Sequence, residues 1–125
     1  MSQAPAQIGP DRYAAHVIIE FLTFTVDPTD QPEWLAVDER IWTRYLQRQP
    51  GFVRKQMWVA RDRPHEVNAM IQWADEQSWK ALSGAELAAL DAKMGAWWRA
   101  SSLRVFDVAS DITLVRSKGL EPPTF

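Results

Sequence analysis

The chain has 125 residues, of which 46% are hydrophobic and 24% charged, and its formal net charge is −2. This length suffices for one domain with its own core, and the slight acidity provides no basic surface for nucleic acid or for an anionic membrane. The absence of cysteine excludes disulfides, thiolate nucleophiles and cysteine-ligated zinc.

The two ends of the chain differ in composition from its middle. Residues 1–16 lack the basic and apolar regions of a signal peptide, and we expect a flexible leader there. No apolar run approaches the roughly 20 residues of a membrane helix, so we expect a cytoplasmic location and no membrane partner. Residues 17–115 form the predicted domain, and the proline-containing residues 116–125 predict a loose tail.

The first predicted strand covers residues 16–26, where β-branched and aromatic residues fill both alternating faces. Apolar residues on both faces are typical of a central strand. Glu20 interrupts one face, and an ionised carboxylate there is costly unless it is paired. It either lines a cavity as an acid, or meets a basic neighbour on a partly covered face, which is the more common situation.

The first predicted helix covers residues 30–49, with a capping box from Asp30 to Glu33 and an end before Pro50. Its apolar residues keep a period of about 3.6 residues, and Asp38 falls on or beside this stripe. A carboxylate there can act as a general base or as a hydrogen-bond anchor. More often it lies at the stripe's edge and accepts a hydrogen bond from a backbone amide or an indole.

A hairpin is predicted next, with strands at residues 52–60 and 66–73 joined by a polar turn. Because side chains alternate along a strand, Trp73 falls on an apolar face of the third strand. Asn68 and Gln72 fall on its opposite, mixed face. These two amides either hydrogen-bond a ligand in a cavity or face solvent without a role.

The second helical region begins at Asp75, a predicted N-cap, and is interrupted by a second capping box from Ser83 to Glu86. The last strand is predicted at residues 103–115. A bulge or bend is expected within it near residues 109–111, where small and acidic residues interrupt the apolar pattern.

The predicted order is strand, helix, strand, strand, helix, strand. With right-handed crossovers this gives an α+β, ferredoxin-like βαββαβ fold: a four-stranded antiparallel sheet with two helices on one face. The other face would expose a large apolar patch, which is rare on soluble monomers. We therefore expect a homodimer with an isologous interface between the sheet faces.

Several short runs carry a family resemblance. They are Ile19-Glu20-Phe21, Asp38-Glu39-x-Ile41-Trp42, Pro50-Gly51-Phe52, Lys55-x-x-Trp58, Asn68-x-x-Ile71-x-Trp73 and Gln77-Ser78-Trp79-Lys80. They resemble a bacterial family, common in cyanobacteria and without an assigned function, in the dimeric α/β-barrel superfamily that includes the antibiotic-biosynthesis-type monooxygenases. The resemblance covers about residues 17–100. It implies a cavity in each protomer, between sheet and helices, for an aromatic or polyketide-like substrate or a haem.

The resemblance also bears on cofactors. The quinone-forming members imply an enzyme that needs neither metal nor flavin, because the carbanion of the substrate reacts with oxygen. The haem-degrading members imply an axial histidine on a helix, and the second helical region has none. His16 and His65 are far apart in the sequence and give no ligand spacing, so we expect no metal and no cofactor.

Seven tryptophans are more than a core of this size requires, and each buried indole needs an acceptor for its N–H. In one interpretation they wall a pocket for a planar aromatic ligand, with Asp38 or Glu20 as the catalytic base. The predicted ligand contacts are Trp42, Trp58, Asn68, Gln72, Trp73 and Trp79. In the other interpretation, which the sequence favours, the same groups form a satisfied polar network in the core and the dimer interface.

Three functions therefore remain open. The first is a cofactor-independent, monooxygenase-like enzyme, which requires an enclosed cavity and a perturbed acid or polar group aimed at the substrate. The second is a dimer that binds a small molecule without catalysis and requires only the cavity. The third is a domain whose only role is association, with the cavity filled by indoles.

Overall fold

The computed structural model describes residues 17–112 and contains one antiparallel sheet in the strand order β2-β3-β1-β4. The strands are β1 Ile18–Thr25, β2 Phe52–Ala60, β3 Arg63–Trp73 and β4 Ser101–Asp107. This order, with helices after β1 and β3, is the ferredoxin-like arrangement, and the predicted fold is confirmed. The predicted leader and tail, at residues 1–16 and 116–125, lie outside the described residues.

The helical segments are α1 Gln31–Asp38, a π-helical segment Glu39–Thr43, α2 Arg44–Gln47, α3 Glu76–Lys80, α4 Gly84–Met94 and a 3₁₀ turn Gly95–Trp97. The single continuous helix predicted after β1 is thus divided by a π-helical segment. In that segment the backbone hydrogen bonds span five residues instead of four.

Two of the three predicted N-caps are confirmed. The Asp75 carboxylate accepts a hydrogen bond from the Ser78 amide at 2.7 Å, and the Ser83 hydroxyl accepts one from the Glu86 amide at 3.3 Å. The cap predicted at Asp30 is wrong, because its backbone is helical (φ −92°, ψ −14°) and its side chain makes no cap hydrogen bond. A capping side chain reaches the first free amides from an extended backbone, as at the other two caps.

The hairpin keeps the predicted second strand, but the third strand begins earlier, at Arg63, after a turn of two residues. Polar side chains do not prevent strand pairing, since the backbone supplies the hydrogen bonds. Gly51 starts the reversal with φ at +85°, and a Cβ there would overlap the Ser78 side chain. β4 ends at Asp107 rather than continuing, and residues 113–115 of the predicted strand lie outside the described residues.

The core lies between the sheet and the helices. Its buried side chains include Trp34, Val37, Tyr45 and Leu46 from the first helical stretch, Ile18, Val67, Ile71 and Trp73 from the sheet, and Leu90 and Met94 from α4. Each such side chain contributes roughly 1.5–3 kcal/mol when it is removed from water. The residues that alternate with them along β1, β2 and β3 point to the opposite, open face of the sheet.

Candidate functional site

A cavity of about 590 Å³ lies between the helices and the sheet, within the roughly 300–1,000 Å³ typical of small-molecule sites. The sheet contributes Glu20, Leu22, Phe24, Lys55, Ala69 and Ile71 to its lining; the helices and the segment after α4 contribute Asp38, Trp42, Leu46, Trp79, Lys80, Leu82, Leu87, Asp91, Met94, Trp98, Arg99, Ala100 and Ser101. Most of these side chains are apolar, so the few charged groups determine the chemistry of the cavity. The tryptophans do not fill it.

Two charged side chains enter the cavity from one row across the sheet. Ile71 of β3 pairs with Glu20 on one side and with Lys55 on the other. Neighbouring strands are about 4.8 Å apart, so the Cα atoms of Glu20 and Lys55 are separated by roughly 10 Å. A glutamate and a lysine side chain therefore flank one apolar residue on the floor of the cavity.

Glu20 accepts a hydrogen bond from a buried indole. The Trp73 indole N–H donates to Oε1 of Glu20 at 3.0 Å. Burial raises the pKa of Glu20 above its ordinary value of 4.5, and hydrogen bonding by the indoles of Trp73 and Trp79 and the charge of Lys55 oppose this rise. A carboxylate whose pKa is raised by burial holds a proton more readily than an exposed one, and such groups are frequent among catalytic acids and bases.

Lys55 forms a buried ion pair with Asp38. Its Nζ donates to Oδ2 of Asp38 at 2.6 Å and to Oγ1 of Thr43 at 2.8 Å. The Lys55 and Asp38 side chains are only 5% and 8% exposed. Asp38 thus lies on the buried side of its helix, and its partner is a lysine rather than the backbone amide or indole expected there.

Five of the predicted site residues lie at the cavity, and three lie on the opposite face of the sheet. Glu20, Asp38, Trp42 and Trp79 line the cavity. Trp73 is fully buried beneath it and contacts Glu20.

The other three predicted ligand contacts are Trp58, Asn68 and Gln72. They were expected in this cavity, but the structure places them on the open face of the sheet. Trp58 is paired with Asn68 across β2 and β3, and Gln72 alternates with residues of the covered face. Each has a partner on its own face. The Trp58 indole N–H donates to Gln56 at 3.0 Å, and the Thr23 hydroxyl donates to Asn68 at 2.7 Å. Nε of Arg54 donates to Gln72 at 3.0 Å. Side chains one or three positions from a cavity-facing residue cannot share its face.

Lys55 and Thr43 belong to the site but were not among the predicted site residues. Lys55 interrupts an apolar strand face, the same signal that identified Glu20, and could have been found in this way. Thr43 had no such signal, because its position depends on the π-helical segment. Within residues 17–112, no cluster of three or more histidine, aspartate or glutamate side chains is arranged to hold a metal. Among the helices of this region, none combines the length and hydropathy needed to span a membrane.

Comparisons with known proteins agree with this architecture. A variant of SnoaB, a cofactor-independent oxygenase from Streptomyces nogalater, is 25% identical, with a TM-score of 0.58 over 78% of this chain and 97% of SnoaB. A monooxygenase from Streptomyces coelicolor, in complex with nanaomycin D, is 18% identical, with a TM-score of 0.66 over 88% of this chain and 100% of that one. A comparison with curated proteins gives no match. The sequence model of the antibiotic biosynthesis monooxygenase family matches residues 17–88, more than half of the chain, and the chain therefore belongs to this family.

Proposed function

We propose that the chain is a cofactor-independent, monooxygenase-like enzyme that oxidises a planar phenolic substrate in the cavity between sheet and helices. The observation that carries this proposal is the Glu20 carboxylate, which enters a mainly apolar cavity and whose pKa is raised by burial. Membership of the family and the likeness to a cofactor-independent oxygenase support the reaction class. Trp42 and Trp79 provide aromatic surfaces against which a planar ring can stack.

In the proposed reaction Glu20 removes the proton of the substrate hydroxyl. The negative charge spreads to a ring carbon, which forms a bond to molecular oxygen. The oxygen–oxygen bond then breaks as the C–H proton of that carbon leaves, so that one oxygen atom becomes a new carbonyl and the other departs as water. Overall, a phenol and O₂ give a quinone and H₂O. The substrate loses four electrons and oxygen gains them.

A second candidate function is binding without catalysis. It is favoured by the engagement of both acids with the protein itself, Glu20 with Trp73 and Asp38 with Lys55. In this case the cavity is retained, but neither carboxylate exchanges a proton with the ligand. The open volume of about 590 Å³ between sheet and helices counts against the third function, a domain for association alone.

Oxygen uptake with a panel of naphthols and hydroquinones, followed together with the absorbance of the quinone product, tests the proposal. We expect Glu20→Gln to lower the turnover rate by about 10²-fold or more, because a positioned base contributes about 10²–10⁴-fold. The exposed Glu39→Gln variant is the matched control and should keep the wild-type rate. Saturable quenching of tryptophan fluorescence by a ligand, without oxygen uptake by the wild type, would instead establish the binding function.

We also propose that two copies associate through the open faces of their sheets. This face carries Phe21 in contact with Trp58 and Phe106, with ring centroids 5.7 and 6.0 Å apart. Trp58 and Phe106 are 46% and 38% exposed in the single chain, and such a cluster of aromatic rings is typical of an interface. A native mass equal to two chains supports this proposal, and a monomeric mass contradicts it.

A further inference from the structure

We propose that Lys55, oriented by Asp38 and Thr43, binds an ionised oxygen of the ligand, so that the cavity selects aromatic ligands with an acidic hydroxyl group. This inference rests on the proposed function for the location of the site and deepens it by naming the substrate class. It assigns Lys55 as a contact of the ligand oxyanion. Asp38 and Thr43 are positioning residues that act through Lys55.

The hydrogen bonds of Lys55 leave one of its N–H donors available to a ligand. An ammonium group has three N–H donors, and two of them point to Oδ2 of Asp38 and Oγ1 of Thr43. Within residues 17–112 no protein acceptor is assigned to the third donor. Because Lys55 lines the cavity, an oxygen of a bound ligand can accept this remaining hydrogen bond.

The π-helical segment brings the two partners of Lys55 to the same side of the helix. Asp38 directly precedes it and Thr43 is its last residue, five positions later. In an α-helix residues five apart point in directions about 140° apart, since each residue turns by about 100°. Hydrogen bonds that span five residues bring such a pair onto one side, and both side chains reach the same ammonium group. Segments of this kind are rare and occur frequently at functional sites.

The charged residues at the cavity wall are better explained by ligand binding than by stability. A buried ion pair contributes little to stability compared with apolar residues of similar size, so stability alone does not account for Lys55 and Asp38 at the cavity wall. A charge-assisted hydrogen bond to an oxyanion is strong where water is excluded. Glu20 stands on the other side of Ile71, where it can take the proton whose removal creates that oxyanion.

The test compares two ligands of nearly the same shape, 2-hydroxy-1,4-naphthoquinone, whose enolic hydroxyl is ionised at neutral pH, and its neutral 2-methoxy analogue. Binding is read from the quenching of tryptophan fluorescence, since Trp42 and Trp79 line the cavity. We expect the wild type to bind the anion about tenfold more tightly or better, because charge-assisted hydrogen bonds are about twice as strong as neutral ones.

The double variant Lys55→Met/Asp38→Asn removes both charges without leaving one of them buried alone. It should lose the preference for the anion and keep its affinity for the methoxy analogue within about twofold of the wild type. The exposed Lys93→Met variant controls for the loss of a positive charge and should keep the preference. Equal affinity of the wild type for both ligands, or an unchanged preference in the double variant, would overturn the inference.

Substitutions of Thr43 test whether this residue orients Lys55 or has only a general structural role. Thr43→Val should weaken binding of the anion several-fold while leaving the methoxy analogue unaffected, and Thr43→Ser should restore the preference because it keeps the hydroxyl group. A purely structural residue would change the melting temperature without changing this ratio, and that result would contradict the assignment.

Because the assay requires no turnover, the two proposals can fail separately. A preference that depends on Lys55, without oxygen uptake, would contradict the enzyme but support the oxyanion site. Oxygen uptake that depends on Glu20, with no preference due to Lys55, would support the enzyme and contradict the oxyanion site.

Discussion

Arg54 and Lys55 are consecutive in β2 but point to opposite faces of the sheet. On the open face, Nε of Arg54 donates to Gln72 at 3.0 Å in an exposed contact. On the covered face, Lys55 is buried in an ion pair with Asp38 at 2.6 Å. Exposed polar contacts contribute little to stability, whereas the loss of one partner from a buried pair leaves an uncompensated charge. The side of the sheet, rather than the type of residue, decides the energetic importance of a charge here.

The largest expected effect is on the covered face. Asp38→Ala leaves the Lys55 ammonium buried without its partner and should lower the free energy of unfolding by about 3–5 kcal/mol, measured by urea unfolding at fixed protein concentration. Lys55→Met/Asp38→Asn should recover most of this loss. Arg54→Met, the neighbouring cation on the open face, should stay within about 0.5 kcal/mol of the wild type. If Asp38→Ala and Arg54→Met had similar effects, the contrast between the faces would not hold.

The second prediction concerns association through the open face. Trp58→Lys should weaken the dimer by about thirtyfold or more, since truncation of a central aromatic interface residue costs about 2 kcal/mol or more. Dilution series monitored by native mass measure this change. Leu103→Lys is a matched control, because Leu103 is 51% exposed but alternates onto the covered side of β4. Equal weakening by both substitutions would place the interface elsewhere.

The third prediction uses the titration of Glu20. Its pKa is raised in the folded protein above the ordinary 4.5, so between these two values the folded chain holds more protons than the unfolded chain. The contribution of Glu20 to stability therefore falls as the pH rises through this window and stays low above it. Glu20→Gln should gain stability relative to the wild type as the pH rises from the ordinary value of 4.5 through the raised pKa of Glu20. The exposed Glu33→Gln variant should follow the wild-type curve, and a Glu20→Gln curve parallel to both would contradict the raised pKa.

The smallest expected effect is at Asn68 on the open face. Asn68 is buried, and its Oδ1 accepts a hydrogen bond from the Thr23 hydroxyl across the strands at 2.7 Å. Asn68→Ala should lower the free energy of unfolding by about 1 kcal/mol or slightly more, through the loss of this hydrogen bond and of the one that Asn68 donates to Glu66. Ligand affinity in the quenching assay should be unchanged, since the side chain does not enter the cavity. A large loss of affinity would return Asn68 to the ligand contacts originally predicted.

Local patterns predicted much of the fold. The strand at residues 52–60 and the caps at Asp75 and Ser83 depend on neighbouring residues, and the structure confirms them. The cap at Asp30 was wrong because the preceding turn is organised instead by Asp27, whose carboxylate accepts hydrogen bonds from Thr29. Two acceptors so close in sequence compete for the same turn, and residue type alone does not decide between them.

The site was less accessible to prediction, because it depends on contacts between distant elements. Alternation separates Trp73 from Asn68 and Gln72, and so could have shown that these three do not share a cavity. It does not show which face the helices cover, and that determines the environment of Glu20. The pairing of Asp38 with Lys55 joins residues 17 positions apart and follows from packing rather than from spacing.

The π-helical segment also has a consequence for length changes in the chain. It holds one residue more than a continuous α-helix of the same span would. The directions of the side chains after the segment are therefore not fixed by the directions of those before it. Deletion of one residue between Glu39 and Thr43 would restore an uninterrupted helix, but turn Tyr45 and Leu46 by about 100° relative to Trp34. The gain in helical regularity would separate the halves of one core face, so we expect single-residue deletions to be tolerated less well here than substitutions.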